Sequence, residues 1–544
     1  MSDNPCLKGG LETYVPRPDK PWNEKRIHHL YNRLSNGAPP YLIALAKGNS
    51  PSVLVNYLID SAKKHPLPGE VVNTASGTIN YSYPWKNDKD YNDPDIYNKF
   101  LQLIRMWFNG MLTEGVRHKL ALFWSNHFVT GSSNYGAYPS WAFQYYYVMH
   151  KHALGNFRNF VYEMGRNPAM LHYLDGRLNR KGAPNENYAR ELLELFTMGH
   201  GNYTEQDVEE IAKALTGWTL YIYDSTAGRS FIHPVEYYEP DSTIPGKAND
   251  YKKIPFNPDL HQYGGKKIFG KTYTTNRVNP DYGKADYDNV HNAIFTDRAN
   301  ETAKFICKKL YKFYMYNDAP DNIVDGLAEV FKENWDILAT LKVLFSSEHF
   351  FEEESMGALI KSNIDTLVHI FRSLDLKMNE DFFPYNEKGV TVPANNLNRD
   401  ALVGLYYQAS NLGQTLMDPV NVAGWPGHRS WLSEFVMVNR WRYIRDQFDY
   451  YLPYPVTKEK YRTFLKEISN NSSDPDFIVR KLIEYVITLP MPEDLIQTTI
   501  GVFKARVPAN YFVDGTWNLD YNLVPQQFID VMKHISTLPE FQLL

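Results

Sequence analysis

Acidic, basic and amide side chains are most concentrated in residues 175–196, DGRLNRKGAPNENYARELLELF, which we call the charged segment. The carboxyl groups of Asp175, Glu186 and Glu191 could exchange protons with a substrate, and the guanidinium of Arg190 could orient an anion or tune a neighbouring carboxylate. We therefore take these four residues as candidate catalytic groups.

Side chains suited to holding a substrate lie in the same segment and in motifs elsewhere in the chain. Amide and ammonium groups can hydrogen-bond to hydroxyls, and tryptophan rings can stack on the apolar face of a sugar. Because paired carboxylates and aromatic platforms suit carbohydrate, we expect a glycan or another polyol as the substrate. The candidate substrate-binding residues are His127, Lys181, Asn185, Asn187, Trp218 and Trp425.

The charged segment is predicted to form an amphipathic helix that begins at Pro184 or Asn185. At 100° per residue its polar side chains fall within about 140° of the helix circumference, and the apolar ones occupy the rest. A second interpretation needs no ligand, because Glu186–Arg190 and Arg190–Glu194 are ordinary i,i+4 pairs worth about 0.2–0.5 kcal/mol each on a solvated face. The spacing alone leaves both interpretations open.

Metal and cofactor motifs are absent from the sequence. It contains no HExxH, no Walker loop, no GxGxxG and no GxSxG, so no cofactor is indicated. The Asp-rich stretches 88–95 and 279–288 match no calcium-loop spacing and are better explained as surface turns.

The elements that must position these residues are predicted to be mainly helices. Apolar residues recur at three- and four-residue steps through 97–128 and 321–351. Thr204 and Asp207 have the spacing of a capping box at a helix start. Residues 219–289 lack helical periodicity and are predicted to be an irregular insert with short strands, for example at 269–274. The fold class is therefore a mainly α, multi-helix globular domain.

We divide the chain into four parts on this pattern. Residues 1–96 form an N-terminal helical segment with an irregular loop, and residues 97–218 form a helical core that carries the charged segment. The insert, 219–289, is followed by a C-terminal helical region, 290–544, expected to be continuous with the core.

Composition excludes several classes of protein. The formal charge of −5 over 544 residues lacks the basic excess of a generic nucleic-acid binder, and 2 Cys cannot build a thiolate cage. No window of eighteen apolar residues is present, so an integral helical membrane segment is not expected. The N-terminus carries no readable secretion signal, which favours the cytoplasm, with export alongside a partner as the alternative.

Several motifs resemble the DUF1800 family, a large bacterial family of unknown function. The most specific one is NRKGAPNENYARELLELFTMG at residues 179–199. The resemblance extends over most of the chain through further motifs at residues 123–128, 167–175, 203–208, 214–218, 359–362 and 413–432.

The resemblance implies a mainly helical fold and no established reaction. It also implies frequent genomic pairing with DUF1501 proteins, which look like alkaline phosphatases or sulfatases and are often exported. Two hypotheses follow. The protein is a helical enzyme or ligand-binding protein with a polar pocket at the charged segment, or it is a non-catalytic assembly partner of a DUF1501-like protein.

Three motifs depart from the family pattern. Ser125 stands where the family commonly has the first histidine of Trp-His-Asn-His-Phe, and Gln262 replaces an acid after His261. Asn363 replaces the usual proline after Ser362. These departures argue against a metal site built from those positions.

Overall fold

The structure is a computed structural model, and its described residues are 10–68, 71–74, 77–80, 96–132, 138–224, 229–232, 256–275, 284–376, 401–451 and 455–544. These residues are mainly helical, which confirms the predicted fold class. Within the described residues no helix is both long enough and apolar enough to cross a membrane.

Helices account for most of the described residues. The first half contains α1 (Glu24–Ser35), α2 (Pro40–Lys47), α3 (Pro51–Lys64), α4 (Ile96–Thr113), α5 (Val116–His127), α6 (Pro139–His152), α7 (Phe157–Met164), α8 (Pro168–Tyr173), α9 (Asn187–Glu191) and α10 (Glu205–Ala214). The second half contains α11 (Lys284–Asp297), α12 (Ala299–Tyr314), α13 (Asp321–Asn334), α14 (Ile337–Ser346), α15 (Asn363–Ser373), α16 (Ala401–Asn411), α17 (Glu434–Tyr451), α18 (Pro455–Ile468), α19 (Pro475–Val486), α20 (Glu493–Lys504) and α21 (Val524–Ile535).

The strands form separate antiparallel hairpins. Their bounds are β1 (Val71–Thr74) with β2 (Gly77–Asn80), β3 (Tyr221–Asp224) with β4 (Arg229–Ile232), and β5 (Gly264–Ile268) with β6 (Lys271–Thr275). The last two pairs lie in the predicted insert, which is therefore partly β. The predicted strand at 269–274 was misplaced at its start. Phe269 and Gly270 both have positive φ, at 47° and 82°, and form the two-residue turn between β5 and β6.

Two predicted helical runs are each broken into two helices. Gly115, with φ 78°, separates α4 from α5, and Trp335, in the left-handed region with φ 56°, separates α13 from α14. The apolar spacing continues across each break because both helices of a pair bury a face in the same core. Periodicity alone therefore does not show where the chain turns.

One hydrophobic core connects the N-terminal helices with the last ones. Buried side chains from Tyr14 to Phe541 belong to a single cluster, and Trp107 and Trp124 are fully buried in it. Many of the abundant aromatic residues therefore fill the core. The four-part division of the chain stays a prediction.

The charged segment folds differently from an uninterrupted α-helix. Asn185 accepts a hydrogen bond from Asn187 N at 3.0 Å, so α9 begins two residues later than Asn185. After Glu191 the chain continues as a π-helical turn, Leu192–Thr197, which we call the π turn. Such turns insert one extra residue per turn and recur at functional sites.

Candidate functional site

The loop before α9 is held by buried Asn179. Its side chain accepts from Asn185 N at 2.9 Å and donates to Ala212 O at 2.8 Å, while its carbonyl accepts from Gly217 N at 3.0 Å. A buried amide with its donor and acceptor both satisfied fixes the backbone of two neighbouring segments. Asn179 therefore positions the candidate residues that follow it.

Asp175 and Lys181 lie on this loop with part of each side chain in solvent. Asp175 has φ 55° and pairs with Arg177 at 3.5 Å. The backbone N–H of Lys181 donates to Leu260 O at 2.7 Å, while its side chain is exposed. The loop thus presents an acid and an amine to solvent.

Arg190 connects α9 to α10 through two carboxylates. It donates to both oxygens of Glu205 at 2.9 and 2.7 Å and to Glu186 at 3.2 Å. The bond to Glu205 raises the pKa of Arg190 above its usual value. Because these side chains are largely exposed, solvent screens both pairs and they add little to the stability of the fold. Glu186 and Arg190 are already engaged with each other.

Glu191 differs from Glu186 because, within the described residues, nothing donates a hydrogen bond to its carboxylate. It is half-buried, and burial, followed by the charge of nearby Glu194, raises its pKa. Tyr173 lies within electrostatic reach, since burial and the charges of Asp418 and Glu191 raise its pKa. Glu191 therefore combines partial burial with a raised pKa, a combination that is common among groups that transfer protons.

Asn187 and Glu194 make local contacts on either side of Glu191. The Asn187 amide donates to Leu174 O at 3.3 Å, and Glu194 accepts from Tyr203 O–H at 2.7 Å. Asn187 is otherwise exposed. One polar surface therefore carries Asn187, Glu191 and the Glu194–Tyr203 pair.

His127 is buried at the end of α5 and reaches the other end of the π turn. Its Nε2 lies 3.0 Å from Phe196 O, and its Nδ1 lies 2.9 Å from Lys309 Nζ. Burial, and then the nearby lysine charge, hold the pKa of His127 well below its usual range. The imidazole is therefore neutral at physiological pH.

The two candidate tryptophans are both buried. Trp218 packs against Phe256 and Tyr287, and the guanidinium of Arg166 lies 5.7 Å from its ring centre. Trp425 lies in a loop clamped by Asn126, which accepts from Trp425 N at 2.6 Å and donates to Trp425 O at 3.3 Å. Both rings contact protein side chains in this structure.

Seven of the ten candidates lie on one loop and the helix that follows it: Asp175, Lys181, Asn185, Glu186, Asn187, Arg190 and Glu191. His127 contacts the same segment through its hydrogen bond to the Phe196 carbonyl. Trp218 lies next to Gly217, whose N–H donates to the Asn179 carbonyl. Trp425 is attached through Asn126, the residue before His127.

A buried ionic cluster in the insert was not predicted from the sequence. Asp286 Oδ2 accepts from His261 Nε2 at 2.9 Å, from Thr275 Oγ1 at 2.7 Å and from Lys266 Nζ. Burial alone would raise the pKa of Asp286, but the bonds from His261 and Lys266 outweigh it and lower the pKa. The sequence has Gln262 where the family has an acid after His261, which suggested that His261 has no carboxylate partner. In the structure Asp286, 25 residues along the chain, is that partner.

Asp286 also corrects the interpretation of the stretch 279–288. Residues 284–288 begin α11 and Asp286 is buried, so this part is not a surface turn. Residues 279–283 and the other Asp-rich stretch, 88–95, lie outside the described residues. Within the described residues, no group of three or more His, Cys, Asp or Glu side chains is placed to hold a metal ion.

One family model matches this chain. The family model "Protein of unknown function (DUF1800)" matches residues 29–543, which is nearly the whole chain. The chain belongs to the DUF1800 family. No curated protein and no solved structure matches it. Membership therefore confirms the resemblance and assigns no reaction.

Proposed function

We propose that this DUF1800 protein binds a glycan or another polyol at the surface that carries Glu191, and that Glu191 exchanges a proton with it. The observation that supports the proposal is a half-buried carboxyl group with a raised pKa and no hydrogen-bond donor among the described residues. A carboxyl group in this state can donate to a sugar oxygen when protonated and accept from a hydroxyl when ionised.

The neighbours of Glu191 suit a ligand rich in hydroxyl groups. Tyr173 contributes a phenolic hydroxyl, and Asp418, whose charge acts on the same tyrosine, contributes a carboxylate. The exposed parts of Asn187 and Lys181 add donors along the same segment. In this scheme Asp175, Asn185, Glu186 and Arg190 position the segment, because each is engaged with a protein group.

The test compares Glu191→Gln with Glu186→Gln on the full chain. The two substitutions are equally conservative, but among the described residues only Glu186 of the two has a hydrogen-bond donor, so Glu186→Gln is the matched control. Binding to a glycan array and to free oligosaccharides by calorimetry should be lost in Glu191→Gln and retained in Glu186→Gln. If the unaltered protein binds no glycan or polyol, or if both variants bind as it does, the proposal is wrong.

The second candidate function is assembly with a DUF1501-like protein. What supports it is apolar surface near the Trp425 loop, where Val420, Phe435 and Val438 are 71, 65 and 59% exposed. Phe435 and Val438 are three residues apart, so they lie on one face of α17. Neighbouring exposed apolar side chains on one helix face, such as Phe435 and Val438, are a feature of protein interfaces.

Affinity capture from the native host tests this candidate. Phe435→Asp should abolish recovery of a DUF1501-like protein, and Val513→Asp should leave recovery unchanged, since Val513 is 88% exposed at a different place. Recovery that is equal for both variants, or no such protein recovered with the unaltered chain, would rule the candidate out.

A further inference from the structure

Lys309, on α12, directs its amine at the last residue of α5. Its Nζ lies 2.9 Å from His127 Nδ1 and 5.3 Å from the centre of the Phe305 ring. Lys309 is half-buried, whereas the preceding residue, Lys308, is exposed. Two consecutive lysines therefore occupy different environments.

The direction of each hydrogen bond follows from the Phe196 carbonyl. A carbonyl oxygen can only accept, so His127 Nε2, 3.0 Å away, must carry the proton. In a neutral imidazole the other nitrogen is then an acceptor, so Lys309 donates to Nδ1. Because burial keeps His127 neutral, the lone pair on its Nδ1 accepts the hydrogen bond from the Lys309 amine.

The π turn explains why this carbonyl is available. Thr197 Oγ1 donates to Leu192 O at 2.5 Å, and Met198 N and Gly199 N both donate to Leu193 O at 3.0 Å. Phe196 O lies in the last turn, where carbonyls lack helical partners. His127 satisfies this carbonyl, and the carbonyl in turn orients the imidazole.

The amine of Lys309 lacks an ionic partner in the described part of the chain. Among the described residues no carboxylate forms an ion pair with it, and burial lowers its pKa to about 8. Side chains are activated for covalent chemistry when a nucleophile lies beside a base and a third group orients that base. Here Lys309 is the nucleophile, His127 the base and the Phe196 carbonyl the orienting group. An amine of this kind is also partly neutral at physiological pH.

We propose that Lys309 forms an imine with an aldehyde or ketone ligand, with His127 as the group that accepts and returns its proton. The Nζ lone pair of the neutral amine attacks the carbonyl carbon, and His127 Nδ1 takes one proton from nitrogen and delivers it to the carbonyl oxygen, which gives the carbinolamine. His127 then moves the second N–H proton to the hydroxyl group, which leaves as water as the C=N bond forms. The balance is one amine and one carbonyl giving one imine and one water, with no oxidant or reductant.

This inference does not depend on the proposed function. It uses the end of the π turn that carries Phe196, and neither Glu191 nor a polyol enters the chemistry. Loss of glycan binding in Glu191→Gln would leave it unaffected, and failure of the Lys309 experiment would leave the glycan proposal unaffected.

The experiment treats the full chain with glycolaldehyde and cyanoborohydride from pH 6 to 9 and locates the reduced adducts by mass spectrometry. Lys308 is the internal control. With a pKa of about 8 for Lys309 and about 10.4 for an ordinary lysine, the neutral fraction at pH 7 differs by about 200-fold. We expect Lys309 labelling to reach half its maximum near pH 8, while labelling of an ordinary lysine still rises at pH 9.

Two variants distinguish the role of Lys309 as nucleophile from the role of His127 as base. Lys309→Arg should remove this adduct and leave Lys308 labelling unchanged. His127→Gln keeps an acceptor but cannot carry a proton, so adduct formation at Lys309 should fall by about 100-fold or more. If labelling of Lys309 in the unaltered protein follows the pH dependence of Lys308, or if no Lys309 adduct forms, the inference is overturned, whatever the stability of the variants.

Discussion

Replacing Asp286 with asparagine tests whether the cluster in the insert is a coupled ionic unit. One carboxylate oxygen accepts from His261, Lys266 and Thr275, and the side chains of Asp286 and Lys266 are 1 and 2% exposed. Asparagine keeps the volume but removes the charge, so the buried ammonium loses its counter-ion. Breaking such a pair costs about 3–5 kcal/mol, since the remaining charge cannot be solvated.

The assay is urea unfolding at pH 7, followed by tryptophan fluorescence. Asp288→Asn is the control, because Asp288 lies on the same helix and accepts from Tyr162 O–H at 2.6 Å, a bond that asparagine can keep. We expect a loss of about 3–5 kcal/mol in Asp286→Asn and of about 1 kcal/mol or less in the control.

A second variant shows whether the loss comes from the pair. If Lys266 is the uncompensated charge, Asp286→Asn combined with Lys266→Met should cost less than the sum of the single changes, by about 0.5–3 kcal/mol. Additive losses, or an Asp286→Asn loss no larger than that of Asp288→Asn, would refute the reasoning.

Two further predictions concern the Trp425 loop and α7. Gly424 has φ 84°, and a Cβ added there would lie 2.2 Å from Asn126 Oδ1. Gly424→Ala should therefore lower the urea midpoint of unfolding. Gly413→Ala should lower it less, because Gly413 has the same φ but no atom within 4 Å of the added Cβ. Equal shifts would contradict the clamp. Burial alone would raise the pKa of Glu163, but the His152 hydrogen bond and the Lys151 charge lower it to about 2. Because the pKa is depressed, ionised Glu163 stabilises the fold at pH values above 4.5, its ordinary pKa, and this stabilisation is lost as the pH falls toward 2. The free energy of unfolding of Glu163→Gln should therefore depend less steeply on pH over that range. An unchanged slope would contradict the prediction.

Helix content could be predicted from the sequence, and helix ends only in part. The Thr204–Asp207 capping box is present as predicted, because a cap depends on residues three apart in the chain. The break at Trp335 was not predictable, since tertiary packing holds a bulky residue in the left-handed region. Helix caps are local, whereas such breaks are not.

The candidate site was predictable to the extent that its contacts are local. Glu186 and Arg190 are four residues apart, and their pairing follows from helix geometry. His261 and Asp286 come together only because the β5–β6 hairpin packs beside α11. The exception to local pairing is Glu191, for which the described residues supply no hydrogen-bond donor; this could be recognised only once the surrounding elements were in place.

The π turn explains why helical spacing could not predict the two ends of this region together. One extra residue in a turn rotates everything after it by about 100° relative to an uninterrupted α-helix. Glu191, before the turn, keeps the orientation that its spacing from Glu186 implies. Phe196, inside it, turns its carbonyl to His127 instead of to a helical partner. Helical spacing thus holds up to Glu191 and fails at Phe196, which is why the contact that orients the His127 imidazole could not be predicted together with the position of Glu191.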